Sequence, residues 1–436
     1  MEFMKMEKIQ FRQILLIIYY LFLFLLETPL MGSVGVPSAF VRILYIILLV
    51  APICMYDKYY LPFVVLASYS ISKFGTAVTL MPTEVWYYVP LFVFFAAPSK
   101  FAGDRYLKIP SIIIVLCASV LFVDFITSQT LQDDFICLLI LILFFFYCIP
   151  RIDSEFYFNC FSHTFIVIAL ILSLELIFAG NQYVQSYGYT DMERAIWADP
   201  NYLGGVMGMG VMAAAVLYIR KCAFSLKVYL LSSIMLMITA LVLNASRGAL
   251  LATISGVFVI LMMGKRIKIW QRALLLSVAA VFVIFLYNNS YFELLEYRLE
   301  NDSGGGSGRT GIWLIKLDEF FKNSNLFQLI FGRGYDGGLK AGFSYNRAFH
   351  NDFIAFLVEY GFIGFVSFVT LMLYPLKRVW FKDKGVLGCM VFIFVNCMTL
   401  EPFSLGMLIY YFFWLYVYYQ SMRYKTNNYS LISRKI

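Results

Sequence analysis

His350 is one of only two histidines in this 436-residue chain, and it stands where a long polar segment meets the start of an apolar run. The same segment, roughly residues 289–350, carries Arg298, Arg309, Lys316, Lys322, Arg333, Lys340 and Arg347. A lone titratable base among clustered cations at a membrane edge suits chemistry on a phosphate-bearing lipid. The cations would hold the anion while the imidazole handles a proton. Asn351 reads as the N-cap of the helix that follows, which places His350 just outside a positive helix end. That end and the neighbouring arginines both disfavour imidazolium, so His350 is expected to be neutral and able to accept a proton near pH 7. His163, at the inner end of an apolar run, reads as structural.

Two further arginines sit at expected helix starts. Arg247 lies in Asn244-Ala-Ser-Arg-Gly248, a tight turn between two apolar runs, with Ser246 as the N-cap. A cation in the first turn opposes the helix macrodipole by a few tenths to about 1 kcal/mol. A bound anion would reverse that sign and give the guanidinium a bidentate partner; snorkelling to lipid headgroups or a structural ion pair is the plainer reading. Arg309 follows Gly308 at the entrance of an amphipathic helix for which Thr310 is the expected cap, with Trp313, Leu317, Phe320 and Phe321 on one face. Ser303-Gly-Gly-Gly-Ser-Gly-Arg-Thr310 resembles a phosphate loop only superficially, because it lacks the lysine and no strand precedes it. Asp199-Pro-Asn201 opens another helix, where Asp199 would orient a sugar hydroxyl, hold an arginine, or simply begin the helix. Gly332-Arg333-Gly334 allows close backbone approach to a ligand, or forms a turn. The glycine-rich stretch from Tyr335 to Ser344 reads as a lid or substrate-contacting segment.

The elements that must position these groups are membrane helices. Hydrophobic residues make up 61% of the chain and charged ones 14%, a balance that excludes a soluble globular protein of this length. Apolar runs place spans near 13–30, 40–56, 60–79, 86–98, 109–127, 134–150, 158–179, 201–219, 228–244, 248–264, 273–288, 351–374, 386–400 and 406–420. The expected fold is an all-α polytopic bundle of about 12–14 transmembrane helices. It is a single domain over residues 1–436, with one large loop at 289–350 that contains short helices. The first run, behind Lys5, Lys8 and Arg12, reads as an uncleaved helix.

Charge supports the threading. With both termini cytoplasmic, most of the 34 basic residues fall in inside segments, as the positive-inside rule requires. The exceptions concentrate between Arg194 and Arg347, on the expected outer face, and mark the candidate site. The formal net charge of +8 reports topology and does not point to nucleic acid. The eight cysteines fall in apolar runs or at their ends and fit neither a disulfide framework nor a zinc site. No Asp-x-Asp pair or His/carboxylate cluster suggests a metal.

In this order, Asp199-Pro-Asn-Tyr-Leu-Gly204, Ser246-Arg-Gly-Ala-Leu-Leu251, Gly308-Arg-Thr-Gly-Ile-Trp313, Leu329-Ile-Phe-Gly-Arg-Gly334, His350-Asn-Asp-Phe-Ile354 and Val358-Glu-Tyr-Gly361 resemble the bacterial O-antigen polymerase/O-antigen ligase superfamily. The resemblance implies a GT-C-like membrane glycosyltransferase of the bacterial inner membrane, with no cofactor and no metal. It further implies a glycan donor linked to undecaprenyl diphosphate, presented on the extracytoplasmic face, with membrane lipid and proteins of the same pathway (a chain-length regulator and a flippase) as partners. Carried over by position, Arg247 and Arg309 look like the diphosphate-holding arginines and His350 like the residue that contacts or deprotonates the acceptor hydroxyl. Asp199, Asn201, Arg333, Tyr335 and Asn351 are the expected substrate-contacting positions. The number of spans tilts the expectation towards a polymerase; a ligase acting on lipid A–core is the alternative, and a flippase for the same lipid-linked oligosaccharide is the alternative of a different class.

Overall fold

A computed structural model describes residues 154–179, 200–220, 223–263, 268–300, 309–334, 349–373 and 384–399, with isolated positions at 15, 18, 19, 118–120, 122, 123, 411, 414 and 415. The spans expected before residue 150 and near 406–420 therefore lie outside the described residues, save for those positions. Within the described residues the chain forms ten helices and no strand. They are α1 (Ser154–Ala179), α2 (Pro200–Tyr218), α3 (Phe224–Leu243), α4 (Arg247–Met263), α5 (Ile269–Asn288), α6 (Glu293–Glu300), α7 (Arg309–Asn323), α8 (Leu326–Phe331), α9 (Asp352–Leu373) and α10 (Lys384–Thr399).

Long apolar runs must become helices in a bilayer, because no water is present to satisfy an open backbone. Parts of α1, α3, α5 and α9 are long and apolar enough to cross a membrane, while α2, α4 and α10 supply shorter apolar helices. The chain is an all-α polytopic membrane protein, and these seven helices coincide with the spans read from hydropathy to within a few residues.

Small residues set the packing at the centre. A methyl group added at Gly208 of α2 would lie 2.5 Å from Thr253 Oγ1 of α4 and 2.8 Å from the Phe392 ring of α10. One at Gly256 of α4 would lie 2.9 Å from the Gly388 carbonyl of α10. Close backbone approach through glycine is how helices associate where lipid is as apolar as leucine. These pairings also fix direction. Gly204 meets Ala249 and Gly208 meets Thr253, so α2 and α4 run parallel. Phe392 shares Gly208 with Thr253, and Gly388 meets Gly256 and Ile260, so α10 runs antiparallel to both. The starts of α2 and α4 and the end of α10 therefore share one end of the bundle.

α9 is two helices in one. Gly361 (φ 64°, ψ −166°) interrupts it, and the Gly332–Gly334 turn docks on the break. Backbone N–H groups of Arg333 and Gly334 donate to the carbonyls of Val358 and Glu359 at 2.9 and 3.0 Å. Those carbonyls would otherwise seek helical partners on the far side of the kink. Any Cβ at Gly332 would meet the Glu359 backbone, and any at Gly361 would meet that of Ile330. Both glycines also have positive φ. The close approach open to this turn is thus made to α9.

Candidate functional site

Asn201, Arg247, Arg309, His350 and Asn351 are carried to a single end of the bundle. Asn201 lies in the first turn of α2, and its Oδ1 accepts a hydrogen bond from Ser246 Oγ at 3.1 Å. Ser246 precedes α4, and its carbonyl accepts from Leu250 N at 3.0 Å, the bond that opens the helix. Arg247 is the first residue of α4, as the sequence implied. Asn244, Ala245 and Ser246 are all buried, and Ala245 adopts φ 48°, so the turn presenting Arg247 is tight and left-handed.

Arg309 reaches the same end by a different route. It begins α7, and its Nη1 donates to the carbonyl of Thr399, the last residue of α10. A helix C-terminus leaves carbonyls without intrahelical partners and carries partial negative charge, so a guanidinium there is favourable twice over. Thr310 lies inside the first turn of α7, so the expectation that it caps the helix is corrected: a cap residue must be non-helical, and the helix already includes Arg309. The expected apolar face is corrected as well. Its buried stripe is Ile312, Lys316 and Phe320, at i, i+4 and i+8. Phe321 is 49% exposed and rests on the Phe362 ring.

His350 stands between two anchored neighbours. Asn351 caps α9, with Oδ1 accepting from Phe353 N at 3.0 Å and Ile354 N at 3.3 Å. Asp352, buried in the first turn of α9, lies against the Cys397 thiol near the end of α10, and the Phe353 and Phe394 rings are 4.9 Å apart. The start of α9 and the end of α10 are therefore neighbours. On the other side of His350, the Phe349 carbonyl accepts from Trp313 Nε1 at 2.6 Å. The Phe349 ring is packed with Phe320 and Val358. His350 itself has φ 49°, a left-handed conformation uncommon for a residue with a side chain, although histidine is among those that adopt it more often.

Arg333 is committed within its own segment. Its Nε donates to Ser324 Oγ at 2.9 Å, Nη2 reaches the Glu319 carbonyl at 3.5 Å, and the guanidinium faces the Phe320 ring at 5.7 Å. Burial lowers its pKa from the ordinary arginine value, and the Glu319 charge opposes that shift. Asp199 and Tyr335 lie outside the described residues, as do Lys340, Arg347 and the Asn301–Gly308 run. Among the described residues, no three His, Cys, Asp or Glu side chains are grouped as metal ligands would be.

Two residues at the site have contacts that the sequence did not disclose. Lys316 has no exposed surface, and its Nζ lies 4.2 Å from the centroid of the Phe349 ring. Its signal was there: a cation between Ile312 and Phe320 at helical spacing contradicts an amphipathic pattern. Trp313 was assigned only to an apolar face, whereas its indole N–H makes the hydrogen bond just described. The family model described as O-antigen ligase matches residues 232–369, a stretch that includes Arg247, Arg309, Arg333 and His350. No curated protein matches the chain.

Proposed function

From the match of residues 232–369 to the family model described as O-antigen ligase, we propose that this protein is a polymerase of surface-polysaccharide repeat units. It transfers glycan from undecaprenyl diphosphate to a lipid-linked acceptor on the outer face of the cytoplasmic membrane. Outside the cytoplasm there is no nucleotide-sugar pool, so the bond energy must arrive in the donor. An acceptor hydroxyl oxygen attacks the anomeric carbon, the carbon–oxygen bond to the diphosphate breaks, and configuration inverts. His350 takes the hydroxyl proton. Arg247 and Arg309 stabilise the charge that develops on the departing undecaprenyl diphosphate. The transfer is metal-independent in this reading, because two guanidinium groups do the neutralising that a divalent cation would otherwise do.

The observation that carries the reading is the gathering of two arginine-bearing helix starts and His350 at one end of the bundle. The test is an assay with purified protein and lipid-linked repeat units. A ladder of products supports polymerisation. Single transfer to lipid A–core replaces it with ligation, and translocation without a new bond replaces it with flipping. Activity retained in both Arg247→Ala and His350→Ala removes the residue roles.

A further inference from the structure

We propose that Trp313 and Lys316 are positioning residues for His350, acting through Phe349 and not through the glycan. The inference rests on His350 being the base of the proposed transfer. Four observations carry it. The Trp313 indole donates to the Phe349 carbonyl at 2.6 Å, which fixes the peptide unit that leads into His350. The Lys316 ammonium sits 4.2 Å from the centre of the Phe349 ring, within cation–π range, and has no solvent exposure. Phe349 is itself buried against Phe320 and Val358. His350 holds φ 49° while Asn351 is tied to the start of α9.

Together these make a frame. A left-handed residue with a side chain persists only where its surroundings over-determine it. Here the residue before His350 is gripped through its carbonyl and its ring, and the residue after it caps a helix. The imidazole therefore leaves the backbone from a fixed point, along a fixed direction. Such fixing matters for catalysis, because a base displaced by about 1 Å can cost about a hundredfold in rate. Lys316 has a reason to be lysine: burying an ammonium is expensive, and a leucine would fill the Ile312–Phe320 stripe without that cost. What a leucine could not do is hold the Phe349 ring face electrostatically.

Because the chain has only two histidines, the inference can be read on His350 directly. The full-length protein is purified in lipid nanodiscs with histidine labelled at Cε1, and His163→Gln assigns the two resonances. The variants are Trp313→Phe, which removes one donor and keeps a ring, Lys316→Met and Lys316→Arg. The expected result is a displaced or broadened His350 resonance in Trp313→Phe and Lys316→Met, with the His163 signal unmoved as the control for folding. The kcat for transfer falls about tenfold to a hundredfold while KM for the lipid-linked donor stays within about twofold. Lys316→Arg, which keeps the cation, restores both the resonance and kcat. An unmoved His350 resonance in both of the first two variants overturns the proposal, as does a raised KM with kcat intact, which would mean direct substrate binding. The two readings fail separately. A displaced resonance in a protein with no transfer activity of any kind, wild type included, removes the transfer reading and leaves the frame. An unmoved resonance in a working polymerase removes the frame and leaves the transfer.

Discussion

The starts of α4 and α9 lie at the same end of the bundle and are built in opposite ways. Arg247 puts a cation into the first turn of α4, and the hydroxyl before it donates outward to Asn201. At α9 the first turn holds Asp352, and the Asn351 side chain accepts from two backbone N–H groups. By the macrodipole argument, α9 is internally satisfied while α4 keeps an electrostatic preference for an anion. The difference matches the proposed roles, an anion at the α4 start and a base beside the α9 start.

Removing the cation should have the largest effect on function and almost none on stability. Arg247→Ala is expected to lower transfer about a hundredfold to a thousandfold, as the loss of one charge-stabilising donor does. Its unfolding temperature in detergent should hold or rise slightly, since an unfavourable dipole contact disappears. A large drop in that temperature would mean that Arg247 is structural and that the contrast between the two starts is wrong.

The second test strikes the support of α9. Gly361→Ala puts a methyl group into the Ile330 backbone at a left-handed position. It should destabilise by about 2–3 kcal/mol, read as early thermal unfolding and rapid proteolysis between residues 323 and 352. Asn351→Ala comes next, at about 1 kcal/mol for a lost cap, with Asn351→Ser recovering most of it. If Asn351→Ala leaves thermal stability untouched, α9 is not the satisfied start described above. The smallest change belongs to the exposed pair at the far end of α7, Lys322 Nζ to Asp318 Oδ2 at 2.7 Å. Lys322→Ala should shift stability by no more than about 0.5 kcal/mol and leave transfer unchanged. It serves as the control that not every cation of this segment matters.

Much of this arrangement was legible beforehand. Hydropathy gave the seven described apolar helices, because a bilayer demands length and apolarity whatever the neighbours are. Local chemistry gave Asn351 as a cap and Arg247 as a first-turn residue, since capping depends on a few consecutive positions. The misses have a common physical cause. The kink at Gly361, the Arg309 bond to Thr399 and the burial of Lys316 all depend on partners far along the chain. Thr310 failed as a cap because its helix already includes Arg309, and Phe321 failed as a buried residue because Lys316 took the inward stripe.

The sequence alone determined that this chain is a helical membrane protein, where its described apolar helices run, and which few residues carry usable charge and a titratable base. These follow from solvent, spacing and residue type, which act locally. Only the tertiary structure decided that Arg309 ends on α10, that Gly332 and Gly334 close on a broken α9, and that a buried lysine and an indole hold the residue before His350. Those outcomes depend on contacts between segments distant in sequence, and no local pattern specifies which distant carbonyl or ring a side chain will meet.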